Sequence, residues 1–153
     1  MSYDLSFTRA TEPAEISAIE QEELAELLCK TLPNLTKTSS QFEGDRSRLN
    51  SIDLNPDPEP GDGLQISIYR DTIALTVPYW HRGEIAAEVF EKIKDCGIAL
   101  TTRGFIGHDN QLDEDIDFQQ DVPRMLDVYE ITVGEMNSAV EDYTKEVPWW
   151  KFW

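Results

Sequence analysis

Large apolar side chains alternate with polar or small residues in the middle of the chain. Apolar residues occupy every second position over 64–68 and again over 73–77, with Arg70 and Asp71 between the two runs. A period of two over two neighbouring runs is typical of a β-hairpin. Pro78, which cannot donate to a strand ladder, marks the predicted end of the second strand.

After the hairpin the apolar spacing changes to three or four residues, which predicts a helix with Gly97 at its C-terminal cap. The apolar positions of this helix are Ile85, Ala86, Val89, Phe90 and Ile93. Residues 98–102 are then predicted to form a strand. Arg103 and Gly104 form the predicted turn into a short return strand over 105–107.

The N-terminal third predicts a strand, a helix and one or two weaker strands. Residues 2–8 alternate, and Thr11 is the expected N-cap of a helix that ends near Lys30. The apolar positions assigned to this helix are Ile16, Ile19, Leu24, Leu27 and Leu28. Residues 36–53 favour one or two edge strands joined at Glu43-Gly44-Asp45.

Towards the C-terminus, apolar residues recur at alternating steps of three and four, which predicts a helix over most of 122–144, bent near Gly134. The sequence therefore predicts a single α+β domain over 1–146. Its mostly antiparallel sheet has four to six strands and is packed by two helices, with a third, C-terminal helix. Residues 147–153 form a separate aromatic tail, which docks either on its own domain or on a partner.

The net charge of the chain disfavours some classes of binding partner and favours others. The 153 residues contain 30 Asp and Glu against 13 Lys and Arg, a formal net charge of -17. Binding to nucleic acid or to an anionic membrane needs clustered Lys and Arg, so both are disfavoured. The charge favours attraction of a basic protein, and its alternative role is to keep the chain soluble.

The beginning of the chain resembles no signal peptide and no apolar run is long enough for a membrane span, so a cytoplasmic location is expected. In that setting Cys29 and Cys96 are expected to be reduced, partly buried thiols.

Acidic residues are concentrated in two stretches and aromatic residues in the tail, and these make up the predicted partner-binding set. The late acidic stretch contributes Asp109, Asp113, Glu114, Asp115 and Asp117; the first helix contributes Glu22, Glu23 and Glu26; the tail contributes Trp149, Trp150 and Trp153. Asp113, Asp115 and Asp117 alternate as the first ligands of a calcium loop would. Phe118 and Arg124, however, occupy the positions that need Gly and Glu, so no metal site is predicted.

No catalytic motif is present. The chain has no glycine-rich phosphate loop, no nucleophile elbow and no His-Glu-x-x-His, so neither a catalytic residue nor a cofactor is predicted. The two histidines, His81 and His108, lie in different segments. A small enzyme or ligand-binding domain with a site near them remains the alternative hypothesis, and a non-catalytic adaptor subunit is a further one.

Short motifs at both ends and at one internal patch resemble a group of small bacterial α+β proteins, some of which act as immunity proteins of toxin systems. The chain opens Met1-Ser2-Tyr3-Asp4-Leu5 and ends Pro148-Trp149-Trp150-Lys151-Phe152-Trp153. Where the group has Tyr-Asp-Pro-Gln, this chain has His108-Asp109-Asn110-Gln111, so Asp109 and Gln111 agree. The resemblance implies an α+β fold in a cytosolic bacterial protein and no catalytic residue.

These observations favour an acidic binding protein of immunity type. Its carboxylates would take the place of phosphate in the basic cleft of a cognate toxin, such as a nuclease, and aromatic anchors would slow dissociation. No oligomeric state is predicted.

Overall fold

A single antiparallel sheet and three helices form the described part of the chain, which in this computed structural model comprises residues 2–43, 48–58 and 61–146. The strands are β1 (Ser2–Arg9), β2 (Leu35–Glu43), β3 (Arg48–Pro56), β4 (Gln65–Tyr69), β5 (Ile73–Pro78), β6 (Phe105–Asp109) and β7 (Glu114–Asp115). The helices are α1 (Ala18–Thr31), α2 (Gly83–Thr102) and α3 (Val122–Glu146).

The strand order is β2-β3-β4-β5-β1-β6-β7, and every neighbouring pair is antiparallel. The predicted α+β class is thus confirmed. The seven strands found in the described residues exceed the predicted four to six, because the two-residue β7 adds an edge strand. The predicted hairpin is β4–β5. The stretch predicted as one or two edge strands contains β2, which lies at an edge of the sheet, and β3, which lies between β2 and β4.

One face of the sheet is covered and the other is open. In β1 the side chains of Tyr3, Leu5 and Phe7 are buried, while the residues between them are partly exposed. The same alternation holds in β4 and β5. Helix α1 packs against β2, β3 and β4, and α2 packs against β6 and against both other helices. The result is a two-layer domain with one solvated sheet face.

Helix α1 begins later than predicted. Its N-cap is Ser17, whose hydroxyl accepts a hydrogen bond from the backbone N–H of Glu20 (3.2 Å), and not Thr11. The backbone N–H of Ile16 donates instead to the carbonyl of Arg70 in the β4–β5 turn (2.6 Å), which keeps the preceding segment out of the helix. The placement of Ile19 in the apolar stripe is also wrong, since this side chain is 75% exposed.

Helix α2 is longer than predicted and includes the whole of 98–102, so the predicted strand there is wrong. Leu100 is fully buried and continues the apolar side of the helix by the same three- and four-residue steps. Gly97 lies inside the helix and does not cap it. It is required by packing, because a Cβ there would lie 2.1 Å from Cδ1 of Phe118.

Helix α3 confirms the prediction for 122–144 and passes through Gly134 without interruption. Its Tyr129 is fully buried and packs edge-on against Tyr3 and Phe90, with ring centroids 6.1 and 5.2 Å apart. The Tyr129 hydroxyl donates to the carbonyl of Pro78 (2.5 Å) and accepts from the backbone N–H of His81 (3.1 Å). These contacts join α3 to the end of β5.

Several predictions concern parts of the chain that lie outside the described residues. They are most of the predicted turn at Glu43-Gly44-Asp45 and the aromatic tail with Trp149, Trp150 and Trp153.

Candidate functional site

The late acidic stretch forms an exposed corner at the β7 edge of the sheet. We call Asp113, Glu114, Asp115 and Asp117 the acidic corner. Asp113 has a left-handed backbone (φ 54°), which ends the turn after β6 and lets β7 fold back along it. Its side chain is 95% exposed and that of Asp115 is 73% exposed. Both carboxylates are therefore available to a partner.

His108 organises two of these carboxylates. Its Nδ1 lies 3.0 Å from Oδ1 of Asp115, and its Nε2 lies 3.0 Å from Oδ1 of Asp113. The hydrogen bond to Asp115, and next that to Asp113, raise the pKa of His108 above its ordinary value of 6.5. His108 pairs with Ser6 of β1 in the sheet, so the ring and both carboxylates lie on the open face.

The other two members of the acidic corner have local partners. Glu114 forms an ion pair with Arg124 in the first turns of α3. Asp117 accepts a hydrogen bond at Oδ1 from the backbone N–H of Gln119 (2.9 Å), which shapes the turn that leads into α3. Glu114 is thus the one member of the corner with a described Arg partner, whereas Asp113, Asp115 and Asp117 have no described Lys or Arg partner.

Asp109 differs from the rest of the predicted set because it is buried, with 1% exposure. It accepts hydrogen bonds from the Tyr3 hydroxyl, from the backbone N–H of Gln111 (2.9 Å) and of Leu112 (3.0 Å), and from the Gln111 side chain. A carboxylate used in this way cannot reach a partner's surface. The sequence pattern placed Asp109 in the partner-binding set, but in the structure its carboxylate is buried and its role is structural.

Gln111 continues the sheet with its side chain. Its Oε1 accepts from the backbone N–H of Asp4 (2.6 Å), and its Nε2 donates to the carbonyl of the same residue (2.8 Å). Two of the motifs behind the expected family resemblance therefore meet in space: Tyr3 and Asp4 of the opening contact Asp109 and Gln111 of the late element. Their role in this chain is to build the β1–β6 junction.

The first-helix glutamates lie far from the acidic corner. Glu22, Glu23 and Glu26 are exposed on α1, which packs on the covered face against β2, β3 and β4. Glu22 also pairs with Lys37 (2.9 Å). The strand order puts β7 at the opposite end of the sheet. The two acidic stretches therefore do not share one surface.

Sequence reasoning missed acidic residues of the open face. Asp4 and Asp53 alternate with buried residues in β1 and β3, so both project from this face. The outward strand positions in described residues 2–8, 51–55, 65–69, 74–78 and 106–108 include no Lys or Arg. The period of two in these strands is the signal that could have identified the face.

The two histidines are not brought together. His81 is 9% exposed, and its Nε2 hydrogen-bonds to the carbonyl of Asp62, while its backbone is tied to α3 through Tyr129. His108 lies on the open face beside Asp113 and Asp115. The geometry thus gives no shared pocket in support of the alternative enzyme or ligand hypothesis.

The cysteines are free thiols, and Cys96 is fully buried in α2, where burial raises the pKa of its thiol to about 12.

Within the described residues, no group of three or more His, Cys, Asp or Glu side chains is arranged to hold a metal ion. The described helices include none that is long and apolar enough to cross a membrane.

Comparisons with protein-family models, with curated proteins and with solved structures give no match for this chain. The fold and the site together define an acidic α+β domain with one open sheet face.

Proposed function

We propose that the chain is an acidic binding protein that docks onto a basic surface of another protein through the acidic corner. In its specific form the proposal is that of an immunity-type inhibitor that occupies the basic cleft of a cognate toxin. The observation that carries it is the pair Asp113 and Asp115, which are 95% and 73% exposed and held side by side by His108.

Preorganisation favours this use of the charge. A carboxylate that is already oriented loses less side-chain entropy when a partner's Lys or Arg binds it. The surrounding negative charge would attract a basic partner over roughly one Debye length, about 8–10 Å at physiological salt, and so raise the association rate. The mechanism of inhibition would be occlusion: the carboxylates take the place of substrate phosphates in the cleft.

The proposal is tested with two bait proteins of equal charge. The first carries Asp113→Asn and Asp115→Asn; Asn tolerates the left-handed backbone at 113. The second, the matched control, carries Glu23→Gln and Glu26→Gln on the distant helix α1. Each is used beside the wild-type chain to capture proteins from native lysate. The retained protein is then identified, purified and measured for association rate at several salt concentrations.

The expected result is a basic protein whose association rate falls about tenfold with the Asp113/Asp115 variant and changes little with the control, with a weaker salt dependence in the first case only. Co-expression would test the specific form: the partner alone should arrest growth, and the wild-type chain should restore it. Equal binding by both variants would contradict the acidic corner as the docking site. A partner that is harmless when expressed alone would contradict the immunity role.

A further inference from the structure

A shallow cavity lies at one end of the open face, away from the acidic corner. Its volume is about 590 Å³, and its lining includes Ser2, Gln65, Thr76, Pro78 and Trp80. Gln65, Thr76 and Ser2 belong to three neighbouring strands, and their register puts them at one end of the sheet. Trp80 is 65% exposed, and among the described residues it is the one aromatic side chain that lines the cavity.

The Trp80 ring lies close to Gly63. Gly63 has a left-handed backbone (φ +72°), and a Cβ there would lie 2.6 Å from Cγ of Pro78 and 3.3 Å from Cζ3 of Trp80. Asp62, the residue before Gly63, is tied to α2 and to His81. Its carboxylate forms an ion pair with Lys92 (2.7 Å), and its carbonyl hydrogen-bonds to His81. A tryptophan side chain has only two rotatable torsions, so it offers a large contact area at low cost in conformational entropy.

A carboxylate lies next to the cavity wall. The hydroxyl of Ser2, which lines the cavity, donates to Oδ1 of Asp4 (2.6 Å). Asp4 is opposite Thr76 across the β1–β5 ladder and faces the same side. The cavity therefore combines an exposed aromatic ring with a carboxylate next to its wall.

We propose that Trp80, in a cavity whose wall residue Ser2 is hydrogen-bonded to Asp4, is an anchor for an arginine of the basic partner, so that the docking surface runs across the open face from the acidic corner to Trp80. This inference rests on the proposed function and specifies its partner as one that presents arginine. An arginine guanidinium is planar, stacks on an indole face and can bind a carboxylate at the same time. A lysine ammonium has no flat face to stack.

The test uses two synthetic peptides of equal charge, nona-arginine and nona-lysine, and the full chain. Binding is measured by isothermal titration calorimetry at low salt with the wild type, Trp80→Ala and Asp113→Asn/Asp115→Asn. Ile85→Ala is the control, because Ile85 is another exposed apolar residue (57%), located in the first turn of α2.

We expect the wild type to bind nona-arginine about two- to fivefold more tightly than nona-lysine. Trp80→Ala should abolish this preference and leave nona-lysine binding within about twofold. Ile85→Ala should leave the preference intact. Asp113→Asn/Asp115→Asn should weaken both peptides by the same factor, because it removes charge and leaves the aromatic ring in place.

The failures of the two proposals are distinguishable. An unchanged arginine preference in Trp80→Ala would overturn the anchor and leave the acidic corner untouched. Unchanged binding of both peptides to Asp113→Asn/Asp115→Asn would count against the proposed function itself. Trp80-dependent binding of a neutral oligosaccharide such as maltohexaose would also overturn the inference, since it would assign the cavity to uncharged ligands.

Discussion

Asp109 and Asp115 belong to one acidic stretch, and the fold gives them opposite roles. Asp109 is 1% exposed and accepts hydrogen bonds from Tyr3 and from the chain that follows it. The side chain of Asp115 is 73% exposed and is hydrogen-bonded to Nδ1 of His108. The comparison teaches that a run of like charges is not one functional unit. The inner half of this run is Asp109, which stabilises the β1–β6 junction. Its outer half is the acidic corner, which lies exposed next to that junction.

The largest effect is expected from Asp109→Ala. It would leave the buried Tyr3 hydroxyl and two backbone N–H groups without their acceptor, and should lower the free energy of unfolding by about 3–5 kcal/mol. Asp115→Ala, the matched control, should change it by less than about 0.5 kcal/mol. Urea denaturation followed by circular dichroism measures both. Equal losses would break the distinction between the inner and outer halves.

A substitution next to Phe118 tests how the outer half of the acidic run, the acidic corner, is attached to the domain. Its ring fills the space beside Gly97 of α2 and Gly107 of β6. Gly97→Ala forces this ring to move and should cost about 1–3 kcal/mol, despite the better helix propensity of alanine. Gly134→Ala in α3 meets no atom within 4 Å and should instead stabilise by about 0.5–1 kcal/mol. Thermal unfolding would show the opposite signs, and a stabilising Gly97→Ala would contradict the packing.

Gln111→Ala removes the side-chain bridge to β1 and should cost about 1 kcal/mol, because the lost hydrogen bonds lie at a partly solvated edge. The specific readout is amide hydrogen exchange. The N–H of Asp4, whose acceptor is Oε1 of Gln111, should exchange faster, while that of buried Leu5 changes less. Unchanged protection at Asp4 would show that Gln111 is not part of the junction.

The smallest effect concerns His108, since its ring is solvated. Its pKa in the folded chain should lie above 6.5, and Asp115→Asn should lower it more than Asp113→Asn. Because folding raises this pKa, the stabilisation from the protonated ring is complete below the unfolded value of about 6.5, and is lost as the pH rises through the folded pKa. NMR titration of the native and urea-unfolded chain tests this, and a native pKa at or below 6.5 would contradict it.

Local patterns were sufficient for most of the elements. The period of two over 64–68 and 73–77 is found as β4 and β5, and the three- and four-residue steps after Asp121 are found as α3. They failed over 98–102, where the buried Leu100 continues the apolar side of α2 past Gly97. The glycine at position 97 suggested a helix end, but the position of Phe118 shows that it serves the packing of the helix interior.

The candidate site was predicted only in part. The sequence identified the charged residues of the acidic corner, because a concentration of Asp and Glu can be read directly from the order of residues. It did not separate Asp109 from Asp115, nor did it find Trp80 and Asp4. These distinctions depend on the pairing of β1 with β5 and β6, which joins residues 66 to 104 positions apart.

The sequence by itself determined the charge of the molecule, most of the strands and the helices apart from their ends, because these follow from composition and from local periodicity. The tertiary structure alone decided which carboxylates are buried, which end of the sheet each acidic stretch occupies, and which face stays open. Those properties are set by long-range strand order and by the side of the sheet on which the helices pack, and local spacing contains no record of either.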